Sequence, residues 1–219
     1  MKMKHIVISA LLALGLTSCV DSTPSLQIGS ASAQGADCSI GTTGPALLRG
    51  SLDLSLRPGG GFPLALAIIT NLDVPVVAVG DQPVSGDPDL STIYVTNLVL
   101  SYSSPTAGLT FSEPKANVRV FGAVDADGNL LVNLLTPDVI QDVGDFVAGG
   151  DSAEVLVTLK LKAQRASGDE LESNEIVFPV LVYASGFTCP TGTKRTVSDD
   201  PCPQEGLNGV LPACEAVTP

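Results

Sequence analysis

The chain has 219 residues, 44% hydrophobic but only 4% aromatic, with a formal net charge of −12. So acidic a chain repels phosphate backbones, which excludes nucleic acid as a partner, and an anionic membrane surface is equally unfavourable to the bare protein. The only histidine is His5; once the leader that carries it is removed, Ser-His, Cys-His and His-metal chemistry have no side chain to run on.

Residues 1–5 bring Lys2 and Lys4 ahead of an apolar run over residues 6–16, and small residues close it. A cationic start, a short apolar core and a small-residue exit are the parts of a secretory signal. The run is too short for a bilayer, which takes about 20 apolar residues. Leu16-Thr17-Ser18-Cys19 resembles the bacterial lipobox, in which a leucine stands three positions before the cysteine that receives a diacylglycerol. The resemblance implies cleavage before Cys19, acylation of that residue and anchoring by several chains, each buried CH₂ contributing about 0.8 kcal/mol. Removing residues 1–18 leaves nine cations against 23 acids, a formal charge of −14.

Residues 19–37 are mostly small and polar, and their composition reads as a flexible tether. From residue 20 onward its 18 residues would reach about 60 Å fully stretched. Strand patterns begin at "LRGSLDLSL", with Leu52, Leu54 and Leu56 alternating against Ser51, Asp53 and Ser55. "FPLALAIITN" follows the glycines at 59–61. "STIYVTNLVLSYSS" places Ile93 and Val95, then Leu98, Leu100 and Tyr102, on one face, and the slip near Asn97 predicts a bulge. "ANVRVFGAV" and "NLLVNLL" flank Asp125-Ala-Asp127-Gly-Asn129, which predicts a hairpin turn. "TPDVIQDVGDF" is the one helical stretch, with Thr136 as its cap and Pro137 at its first position. "AEVLVTLKLKAQ" points Val155, Val157, Leu159 and Leu161 inward, and "NEIVFPVLVYASG" predicts an edge strand because of Pro179. The aromatics fall singly in or beside these strands and read as core residues.

Seven or eight short strands with Gly/Pro turns predict an all-β fold, an immunoglobulin-like two-sheet antiparallel sandwich. The expected organisation is a lipoprotein signal peptide at 1–18, a tether at 19–37, the β-sandwich domain at 38–187 and a Cys/Pro-rich tail at 188–219. The tail has three cysteines, five prolines and no strand pattern. Besides Cys19 the chain holds Cys38, Cys189, Cys202 and Cys214, an even set that reads as two disulfides in an exported protein. Cys189–Cys202 with Cys38–Cys214, and Cys38–Cys189 with Cys202–Cys214, both stand as expectations. No C-x₂-C spacing suggests zinc.

Residues 166–190 add a second resemblance. Glu172-Ser173-Asn174-Glu175, Phe178-Pro179-Val180 and Pro201-Cys202-Pro203 resemble segments shared by a recurrent type of surface lipoprotein from myxobacteria. Those chains combine a lipobox, an early cysteine, a strand pair ending in an "ESNEF-FPV"-like segment and a cysteine-rich tail. The resemblance implies architecture and location and brings no activity with it. This chain departs from the pattern at Tyr183, where relatives carry another cysteine, so no disulfide scheme transfers.

Asp125, Asp127 and Asn129 also alternate as the opening of a calcium loop does. Leu130 and Thr136 stand where an EF-hand has its glycine and its glutamate, so the hairpin reading is preferred. No phosphate-binding glycine motif or aromatic sugar platform is present. The expectation is a non-catalytic structural or protein-interaction module without cofactors. It would be lipid-anchored in the cell envelope at the outer membrane, with an envelope protein as partner. The alternative is a glycan- or calcium-binding module.

Replacing Cys19 tests the first of these inferences. Cys19→Ser should abolish metabolic labelling with a fatty acid and move the protein out of the membrane fraction; label on the variant equal to that on the parent would contradict the lipobox reading.

Overall fold

The computed structural model describes residues 24–41, 46–72, 77–79, 82–84, 92–124, 127–196 and 198–217. In chain order the elements are β1 (Leu26–Ser32), β2 (Gly50–Asp53), β3 (Pro63–Thr70), β4 (Val77–Val79), β5 (Gln82–Val84), β6 (Ile93–Ser103), β7 (Lys115–Val124) and β8 (Asp127–Asn133). They continue with the helix α1 (Pro137–Val147), β9 (Ser152–Arg165), β10 (Glu170–Glu172), β11 (Ile176–Tyr183), β12 (Thr193–Arg195) and β13 (Cys214–Ala216). The fold is β-sandwich-like, with one three-stranded sheet ordered β1-β3-β8 and one larger sheet ordered β2-β11-β9-β6-β7, to which β10 adds on β9.

Period-two alternation builds the centre of the larger sheet. Val155, Val157, Leu159 and Leu161 of β9 are each fully buried, and so are Ile93, Val95 and Leu100 of β6. The slip read near Asn97 is present in both ladders of β6, where pairing shifts between Val95 and Asn97. Leu64, Leu66 and Ile68 of β3 join these residues in one apolar core with Val139, Ile140, Val143 and Val147 of α1. The helix starts as its sequence indicates, with Thr136 at the cap and Pro137 next, though the Thr136 side chain makes no capping bond.

Several sequence expectations are corrected. The tether does not extend to residue 37: β1 occupies Leu26–Ser32, pairs with β3, and buries Leu26, Ile28 and Ala31. Composition concealed a strand there, because three apolar side chains suffice once β3 supplies the partner. "LRGSLDLSL" forms strand only over Gly50–Asp53; a turn follows, and Asp53 is fully buried rather than outward. The sheet is not purely antiparallel, since β2 runs parallel to β11. For the same reason β11 is not an edge strand. Its proline is tolerated because β2 begins opposite Val180, so Pro179 has β9 alone beside it. The hairpin expected at residues 125–129 falls partly outside the described residues, at 125 and 126, while Asp127 to Asn129 already pair with β3 and not with β7. Gly128 serves a close approach, as a Cβ there would press on the Val124 side chain.

Phe62, just before β3, is buried in the core against β2 and β11 of the larger sheet. Its ring lies 5.9 Å from that of Phe178, and a Cβ on Gly50 would overlap it. Gly50→Ala should therefore cost about 1–3 kcal/mol in a urea melt, with Phe62→Leu restoring part of the loss. Stability unchanged by Gly50→Ala would contradict this packing.

Candidate functional site

The four cysteines of the folded region form two disulfides, Cys38–Cys202 and Cys189–Cys214. This is neither of the two expected pairings. The tail has no strand pattern in sequence, yet β12 pairs with β13, with Arg195 opposite Cys214, and this brings the chain around Cys189 and Cys214 together. Cys202 is drawn instead to the segment after β1, where its amide donates to the Ala36 carbonyl at 3.0 Å. With its ends 164 positions apart in sequence, the Cys38–Cys202 bridge contributes about 5 kcal/mol by loop closure. Cys19 lies outside the described residues.

From Cys202 the tail runs along the outer side of β2. The Asp53 amide donates to the Gly206 carbonyl at 2.7 Å, and the Asn208 amide donates to the Ser51 carbonyl at 2.8 Å. Leu207 forms an antiparallel bridge to Leu52 and is buried. Gly206 is required here: its φ is +83°, and a Cβ would stand 3.1 Å from the Asp53 carbonyl oxygen. The tail thus occupies the position that a further strand would take.

Asp53 is the polar centre of this junction. Its Oδ1 accepts from the Ser55 amide at 3.0 Å, the Ser55 hydroxyl at 2.7 Å and the Ser185 amide at 3.1 Å. Its Oδ2 is buried and has no partner among the described residues. Burial acts most strongly on the carboxyl and raises its pKa. The bonds from Ser185 and Ser55 together outweigh it, leaving the group below the ordinary aspartate value of 3.8. Its side-chain hydrogen bonds all come from serine groups, which tie the turn after β2 to the exit from β11.

Asp127 and Asn129, the remaining members of the suggested calcium loop, are two residues apart on β8, opposite Ile69 and Ala67. No group of three or more acidic, His or Cys side chains suited to a metal ion occurs among the described residues. A cleft of about 290 Å³ lies beside the β6 slip, lined by Asn97, Lys162, Gln164, Glu170 and Glu172. There Glu172 pairs with both Lys160 and Lys162, and their hydrogen bonds, Lys160 first, hold its carboxyl below the ordinary range.

The opposite edge of the larger sheet carries the feature that sequence reading missed. β7 is ten residues long and pairs with β6 on one side; no described strand pairs with its other side. Lys115, Asn117, Arg119 and Phe121 are all exposed, Phe121 at 91%. Phe121 is therefore not the core residue that a strand aromatic was expected to be. Its signal was available: it shares the phase of Asn117 and Arg119, not that of Val118 and Val120. No protein-family model matches the chain, and no curated protein shows significant similarity to it.

The Asp53 junction makes a pH-dependent prediction. A carboxyl with a lowered folded-state pKa stabilises in full above its unfolded value and loses that contribution as pH falls through the folded one. Asp53→Asn should cost about 1–3 kcal/mol near neutral pH. The gap in denaturation midpoint between parent and variant should hold from about pH 8 to 5 and narrow below about pH 4. A gap that stays constant to pH 3 would contradict the assignment.

Proposed function

We propose that this protein is an exported, lipid-anchored, non-catalytic interaction module of the cell envelope, seated at the outer membrane, with an immunoglobulin-like sandwich whose open edge β7 receives an envelope protein. The observation that carries the reading is the asymmetry of the larger sheet. One edge is closed by a disulfide-held tail, while at the other the ten residues of β7 have an outer side that no described strand pairs, with an exposed phenylalanine. An open edge of that length is a template for an added strand, and Lys115 and Arg119 on it restrict which strand can add.

The immunoglobulin-like reading is supported by strand order. β1-β3-β8 corresponds to A-B-E, and β2-β11-β9-β6-β7 to A′-G-F-C-C′, with the first strand of the domain divided between the sheets. Export is supported by the charged start, the apolar run and Leu16–Cys19, and by two disulfides, which persist in oxidising compartments. Leu26 opens β1 only seven residues after Cys19, so the anchor would hold the domain within about 25 Å of the headgroups.

Phe121 separates this reading from a purely structural one. Phe121→Ser should leave the melting midpoint within about 0.5 kcal/mol of the parent, as for an exposed position. It should also abolish crosslinking of an envelope protein to a photoreactive residue placed at position 117 on intact cells. Destabilisation by about 3 kcal/mol, the cost of a lost core aromatic, or an unchanged crosslink would contradict it.

A further inference from the structure

The chemistry around β7 identifies the kind of strand that fits it. We infer that the partner of β7 is an extended acidic segment, carrying an apolar residue followed two positions later by an acid and four positions after that by another; this rests on the reading of β7 as a docking edge.

Registration across the larger sheet sets outward residues of three strands in rows. Arg119 stands beside Asn97, which stands beside Lys162; Asn117 beside Val99 and Lys160; Lys115 beside Ser101 and Thr158. Four of the nine cations beyond residue 18 thus gather on one face of a chain that otherwise carries a large negative excess. Glu172 offsets Lys160 and Lys162. Lys115 and Arg119 are exposed and have no ion pair among the described residues. Both lie on β7, whose outer side no described strand pairs.

A strand added to β7 places its own outward side chains about 5 Å from those of β7. Lys115 and Arg119 are four residues apart, about 13 Å along a strand, and Phe121 follows two residues later on the same face. An antiparallel partner therefore meets Phe121, Arg119 and Lys115 with residues spaced as apolar, then acid two on, then acid four further. Two opposite-charge pairs across such a ladder together strengthen binding roughly two- to thirty-fold. A bilayer fits less well, because it has no backbone groups to pair with the open edge and an anionic one repels the rest of the domain. A second copy fits less well too, since it brings another strongly acidic domain close by.

The oxidised full chain carrying Cys19→Ser, titrated with fluorescent peptides, tests this. The probe is Thr-Phe-Thr-Glu-Thr-Val-Thr-Glu-Thr, with versions in which both glutamates become Gln or Lys. The acidic peptide should bind roughly three- to ten-fold more tightly than the Gln version, more tightly still than the Lys version, and less well at high salt. A Lys115→Glu/Arg119→Glu double variant should reverse the order, and that reversal cannot come from misfolding. Equal binding of all three peptides, lost in Phe121→Ser, would overturn the acidic partner while leaving the docking edge intact. Binding of none would overturn both. Binding of phosphatidylglycerol vesicles, but no peptide, with loss in the double variant, would overturn the proposal in favour of a membrane face. Concentration-dependent dimerisation that peptides do not alter would overturn it in favour of a second copy.

Discussion

The side chain of Asp53 has no exposure to solvent, and its charge is held by donors from two separate parts of the chain. Ser55 belongs to the turn after β2, Ser185 to the exit from β11, and the Asp53 amide is bound by the tail at Gly206. A buried carboxylate without such donors would be strongly disfavoured. The three segments must therefore converge for the charge to be tolerated. The same junction fixes β2 beside β11 and sets the tail beside β2. Cys38–Cys202 adds a covalent limit on how far that tail can stray.

This convergence decides which surfaces remain open. A short parallel strand at a sheet edge offers its outer amides and carbonyls to any passing strand. Here residues 206–208 take those positions, and Leu207 buries itself in the process. The other edge of the sheet has no equivalent cover among the described residues, and its outward side chains are cationic and aromatic. A negative charge excess keeps the rest of the domain from unselective association with anionic surfaces, and β7 departs from that charge. Closure at one edge and openness at the other belong to the same sheet, so a partner that adds to β7 extends an already anchored ladder.

Local alternation made part of this legible. β9 alternates without interruption, and its buried set follows directly from the sequence. The slip near Asn97 likewise appears in sequence because a bulge shifts the apolar phase. Long-range pairing was not legible. β1 has too few apolar residues to stand out from a polar segment, and only its pairing with β3 makes it a strand. Asp53 sits on the polar phase of an alternating run, yet its burial depends on Ser185 and Gly206, more than 130 residues away. The cysteine pairing depends on β12 and β13, whose three-residue strands carry no period. The Asp-Gly pair at 127–128 carries a turn signal, whereas the glycine there relieves a close approach to Val124, a contact that sequence cannot show. At Phe121 strand phase outweighs aromatic character: it shares the exposed phase of Asn117 and Arg119.

The contrast between the two edges is measured most directly by native-state hydrogen exchange on the oxidised protein, resolved by residue. The β2 amides of Ser51 and Asp53 should be protected by the tail, whereas alternate amides of β7, on the side that no described strand pairs, should exchange quickly and become protected when the acidic peptide binds. Equal, fast exchange at β2 and β7, or β7 amides protected throughout without any peptide, would contradict the account of one closed edge and one open one.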